Sequence, residues 1–140
     1  MPQRFIKDRH SGTIAALRAK EIKIQQAFVE SFDLLAGPQA FLFSVPNERG
    51  DKNLSQLIKA GLRPGMTDIV IVWEGGGLFL EFKARNGTVT ENQEKVHSDL
   101  RALRWPVEIV RSVDEAWAAL ATHGCPVRAL LTGGTARRAG

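Results

Sequence analysis

Between about Thr13 and Leu35 apolar residues return at three- and four-residue steps: Ile14, Leu17, Ile24, Phe28, Phe32 and Leu35. That period predicts an amphipathic helix with one stripe turned to a core, ended by Gly37-Pro38. The pattern then changes. Ala40 to Val45 reads as a short buried strand, and Leu54 to Ala60 as a short helix stopped by Gly61. Arg63-Pro64-Gly65 predicts a tight turn, with Pro64 placed to start it and Gly65 free to take a positive φ. It leads into a β-hairpin. Ile69–Trp73 and Leu78–Phe82 are runs of β-branched, aromatic and leucine residues, and Glu74-Gly75-Gly76-Gly77 turns the chain between them.

After an Arg85-Asn86-Gly87 turn, Thr90-Glu91-Asn92-Gln93 forms a capping box. It opens a helix with Gln93, Val96, Leu100 and Leu103 on one face. Val107–Val110 is a further strand. Ser112-Val113-Asp114-Glu115 is a second capping box, before a helix that turns Val113, Ala116, Trp117 and Leu120 inward. Trp73, Trp105 and Trp117 are expected as packing residues. The order is helix, strand, short helix, strand, strand, helix, strand, helix. The strand–helix–strand crossover after the hairpin sets its last strand parallel to Val107–Val110. The expected fold is α/β, a mixed β-sheet flanked by helices.

At 140 residues the chain is expected to be one domain with a single core. Residues 1–12 read as a basic arm, 13–124 as the domain, and 125–140, Gly- and Arg-rich without a period, as a loosely ordered tail. Nothing approaches the roughly 20 apolar residues that span a bilayer. One cysteine, Cys125, excludes an internal disulfide and fits a reducing cytoplasm. His10, His97 and His123 are too scattered for zinc spacing. The net charge is +4, and its placement matters more than its size: Arg4, Lys7, Arg9, Arg18, Lys20 and Lys23 crowd the N-terminal arm and first helix. Such a basic end suits a polyanion through phosphate contacts, and charge alone points first to a solvated helix face.

The chemistry gathers on the hairpin. Asp68 precedes its first arm and Glu81 lies near the end of its second, so antiparallel pairing brings them together. Lys83, two residues on, projects to the same side as Glu81. Two carboxylates with a nearby main-chain carbonyl can hold Mg²⁺ or Mn²⁺; an Asp–Lys–Glu salt-bridge cluster on a rim is the other reading. Glu21 falls on the apolar stripe of the first helix, where a buried carboxylate is costly unless something neutralises it. A salt bridge or a shared cation would each do so. Gln93 faces the core side from a helix N-terminus, which capping alone also explains.

These residues in this order resemble the VRR-NUC branch of the PD-(D/E)xK nuclease superfamily. The resemblance runs through Glu21 with Ile24-Gln25, Val45-Pro46-Asn47, Gly61-Leu62-Arg63-Pro64-Gly65, Asp68, Glu81-Phe82-Lys83, Gly87, Gln93 and Val110-Arg111-Ser112-Val113-Asp114-Glu115-Ala116. The family usually has proline before the aspartate, where this chain has Thr67. The resemblance implies a restriction-endonuclease-like core and Mg²⁺- or Mn²⁺-dependent hydrolysis of DNA. Asp68, Glu81 and the Phe82 carbonyl would be metal ligands and Lys83 the catalytic lysine, with Glu21 completing the acidic cluster and Gln93 facing the site. Lys20, Lys23, Arg63, Arg85 and Asn47 are expected to contact DNA. It also implies a structure-specific endonuclease of phage or prophage replication and repair, acting as a homodimer on branched DNA such as a Holliday junction. The competing expectation is a nucleic-acid-binding or accessory module that keeps the fold without cutting.

Overall fold

The structure, a computed structural model, describes residues 2–46, 53–128 and 130, with side chains from residue 13 onward. The elements are α1 (Pro2–Leu35), β1 (Ala40–Ser44), α2 (Leu54–Lys59), β2 (Ile69–Trp73), β3 (Gly76–Phe82), α3 (Glu91–Ala102), β4 (Val107–Val110) and α4 (Val113–Thr122). Their order is the expected one, and the strands form one sheet in the order β1-β2-β3-β4. β1–β2 and β2–β3 are antiparallel and β3–β4 is parallel, a mixed sheet. Among the described residues no helix is long and apolar enough to cross a membrane.

Alternation along the strands gives the sheet two different faces. Ile69, Ile71, Leu78, Leu80 and Phe82 point to one side and meet α1 and α4, where Phe28 lies 5.8 Å from both the Phe82 and Trp117 rings. Val70, Phe79, Glu81 and Lys83 belong to the other side, which α3 covers through Gln93 and His97. The apolar core lies on the first face and the polar site on the second. β1 sits at an edge and leaves Phe41 and Phe43 exposed beside each other.

Several boundaries depart from expectation. α1 runs back to Pro2, through the segment expected as an arm. Proline is well suited to a first helical position, and Gly12 is a single weak helix former costing only about 1 kcal/mol. The stripe of α1 ends on Ala36, which is buried, while Leu35 is 49% exposed; four-residue steps from Phe28 lead to Phe32 and then Ala36. The hairpin turn is tighter than four residues, because Trp73 pairs with Gly76. A Cβ on Gly76 would lie 2.6 Å from the Trp73 indole nitrogen, so only glycine lets that ring pack there. Leu103 follows α3 and is exposed, whereas His97 lies on the buried face. The chain does not leave the core at Cys125: Cys125 and Val127 are buried, and the Arg128 amide donates to the Ala36 carbonyl at 2.7 Å.

Candidate active site

The hairpin register sets Ile69 against Leu80, and so Asp68 beside Glu81. Asp68 is held from both neighbouring strands. Its Oδ2 accepts from the Phe82 amide at 2.8 Å, and its carbonyl accepts from the Val45 amide at 2.9 Å. The turn before it forms as expected, with the Met66 amide donating to the Arg63 carbonyl at 3.1 Å and Gly65 at φ +88°. Gly65 also lies directly against α3. A Cβ there would fall 2.4 Å from the Asn92 carbonyl carbon, so the turn fixes both Asp68 and the start of the helix that carries Gln93.

That helix start is a complete capping box. Thr90 Oγ1 accepts from the Gln93 amide at 3.3 Å, and Gln93 Oε1 accepts from the Thr90 amide at 2.9 Å. The other end of the Gln93 amide group is therefore free to donate, and Nε2 gives a 2.8 Å hydrogen bond to Glu81 Oε1. Capping and site are served by one side chain. Lys83 Nζ lies 3.5 Å from the same oxygen, and both Glu81 and Lys83 are buried. Among the described residues Glu81 Oε2 has no hydrogen-bond partner, and neither does His97 Nε2, which lies 3.9 Å away.

Burial, and after it the Asp68 carboxylate, push the Glu81 carboxyl up to about 8, against the pull of Lys83. Glu21 adds to the upward push. Burial, then the charges of Arg101 and Lys83, lowers His97 below its ordinary value, which favours a neutral ring.

Glu21 reaches the chain just past Lys83. Its Oε1 accepts a long 3.4 Å hydrogen bond from the Ala84 amide and lies 2.8 Å from where a Cβ on Gly87 would stand. Gly87 is thus the residue that makes room for Glu21. Arg111 closes the same turn from below, its Nη1 donating to the carbonyls of Ala84 at 2.6 Å and Gly87 at 2.8 Å. Two residues near the site escaped sequence reasoning as individuals: Arg111, noted only within a motif, and His97, set aside for want of zinc spacing. His97 stands four residues after Gln93, a spacing that shares a helix face, and that was the one available signal.

The structure brings Asp68, Glu81, Lys83 and Gln93 together and sets Glu21 beside the turn that follows them. Phe82 joins the group by its amide. Lys20, Lys23, Arg63 and Arg85 are exposed, and Asn47 lies outside the described residues. Among the described residues no three His, Cys, Asp or Glu side chains converge closely enough to hold an ion as they stand. The donor chemistry nonetheless suits a hard divalent cation: carboxylate oxygens from Asp68 and Glu81, a buried Oε2 without a partner, and repulsion between carboxylates that a cation would relieve.

The VRR-NUC domain matches residues 19–114 of the chain, from just before Glu21 to the first turn of α4. No curated protein and no solved structure matches it.

Proposed function

Because the chain belongs to the VRR-NUC domain family, whose function is of nuclease type, we propose that it is a metal-dependent endonuclease that hydrolyses phosphodiester bonds in DNA. The observation that carries this reading is the setting of Glu81. A buried carboxylate beside Asp68, with Lys83 and Gln93 on one oxygen and the other unpartnered, is an expensive arrangement for structure alone. A hydrophobic pair would fill the same space at less cost.

In this reading Asp68, Glu81 and the Phe82 carbonyl hold Mg²⁺ or Mn²⁺, with Glu21 as a further carboxylate. The cation, when bound, supplies positive charge for a phosphoryl oxygen and favours ionised water. Lys83 orients the attacking water and offsets negative charge as it develops. Gln93 holds the Glu81 carboxylate in place from the capped end of α3. The exposed Lys20, Lys23, Arg63 and Arg85 neutralise backbone phosphates, so the DNA is read by shape and charge, and Asn47 is assigned the same role. We extend the reading to branched substrates, cut symmetrically by a two-fold homodimer.

The test is cleavage of labelled four-way junction, splayed fork and linear duplex in EDTA, Mg²⁺ and Mn²⁺, with Lys83→Ala alongside. Paired symmetric cuts in the junction that need metal and disappear in the variant are expected. Cuts confined to fork or duplex would keep the nuclease and remove the junction preference. Tight binding with no cleavage in any metal would instead support the non-cutting, accessory reading.

A further inference from the structure

We infer that His97 is a positioning residue for Glu81, donating from Nε2 to the carboxylate oxygen that Gln93 leaves free. The inference rests on the reading of Glu81 as a metal ligand. Gln93 and His97 are one helical turn apart on α3, both on its buried face, and both are directed at the same carboxylate. Gln93 takes Oε1. Oε2 and His97 Nε2 then face each other at 3.9 Å, and neither has another partner among the described residues.

Two adjacent orphans call for an explanation, because buried polar atoms are nearly always paired and an unmade bond leaves the desolvation of the group uncompensated. A core role does not supply one, since a leucine would fill that position without a polar atom to satisfy. The gap is too short for a comfortable water bridge and too long for a direct bond. It closes with about 1 Å of movement, which small rotations of the His97 side chain about its own torsions provide while Oε1 stays on Gln93. With Oε1 on Gln93 and Oε2 on His97, the plane of the Glu81 carboxylate is set from a single helix, and its remaining lone pairs are left for the cation. Partners of this kind behind a ligand are worth about 10–100-fold in metal affinity.

The experiment is calorimetric titration of the metal-free protein with Mn²⁺, comparing wild type, Asp68→Ala, His97→Leu and His97→Gln. Gln is the rescue variant because its Nε2 occupies roughly the place of the imidazole Nε2 and can donate. His97→Leu is expected to weaken Mn²⁺ binding about tenfold or more, with metal-free thermal stability equal to or above that of wild type. His97→Gln is expected to restore most of the affinity. Wild-type affinity in His97→Leu would overturn the inference, and so would failure of His97→Gln to recover what His97→Leu loses. Should wild type bind no Mn²⁺ that Asp68→Ala abolishes, the metal reading itself falls and the inference with it. That outcome is visible before any His97 variant is compared.

Discussion

Glu81 makes a pH-dependent demand on stability that follows from its surroundings. The metal-free folded protein keeps its carboxyl protonated up to about pH 8, whereas an unperturbed carboxyl releases the proton near 4.5. The folded state therefore binds more protons across that window, and stability falls as pH rises through it. Glu81→Gln removes the demand. In EDTA it should raise Tm by several degrees at pH 8.5 and by far less at pH 5; an equal gain at both values would reject buried charge as the cause. Cys125 offers an independent check on burial. Its thiol is pushed up to about 11, so iodoacetamide at pH 8 should label native protein at least about a hundredfold more slowly than protein in denaturant. Equal rates would mean that the segment after α4 opens freely.

At the scale of elements, two backbone positions carry separable predictions. Gly65 combines φ +88° with contact against the first turn of α3. Gly65→Ala should cost about 2 kcal/mol or more, and cleavage by the variant should fall further than its loss of folded protein explains, because the displaced turn leads into Asp68 and packs against the start of the helix that carries Gln93. Arg104 is the reverse case. It has φ 67° just after α3, and the Trp105 amide donates back to Leu100 at 3.0 Å, the wrap that glycine usually makes at a helix end. Arg104→Gly should therefore stabilise the protein by about 1 kcal/mol, seen as a rise of a few degrees in Tm; a drop would show that the arginine side chain compensates for its backbone. Both helix starts were legible beforehand, since a capping box is a contact among four neighbours. Ser112 performs as expected, accepting from the Glu115 amide at 3.1 Å. The Glu115 carboxylate, however, accepts from the Arg111 amide and not from Ser112, so that second box is only half made.

For the whole molecule, the separation of the two sheet faces explains how an apolar core and a buried polar site coexist in a chain of 140 residues. α1 and α4 seal one face with aromatic packing, and α3 brings polar groups to the other. The end of the described chain belongs to the first of these layers. Val127 is fully buried and Arg128 is tied to Ala36, so Val127→Ala should cost about 2 kcal/mol in chemical denaturation. A change below a few tenths would return this segment to the status of a loose tail.

Local rules account for what could be read from the order of residues alone. The element sequence, the Arg63–Met66 turn and the Thr90 cap depend on spacings of two to four residues, and the mixed sheet follows from the strand–helix–strand crossover after the hairpin. The meeting of Asp68 and Glu81 needs only a hairpin, whose short turn leaves little freedom in register. Contacts between distant elements were not available in the same way. Glu21 reaching the Ala84–Gly87 turn, Arg111 closing that turn, and Cys125 and Val127 entering the core all depend on how packed helices and strands come to rest. His97 was hidden for a related reason: its spacing from Gln93 was plain, but its significance comes from the carboxylate that β3 sets opposite it. Period and capping are properties of a segment, whereas the partner of a buried polar atom is chosen by packing.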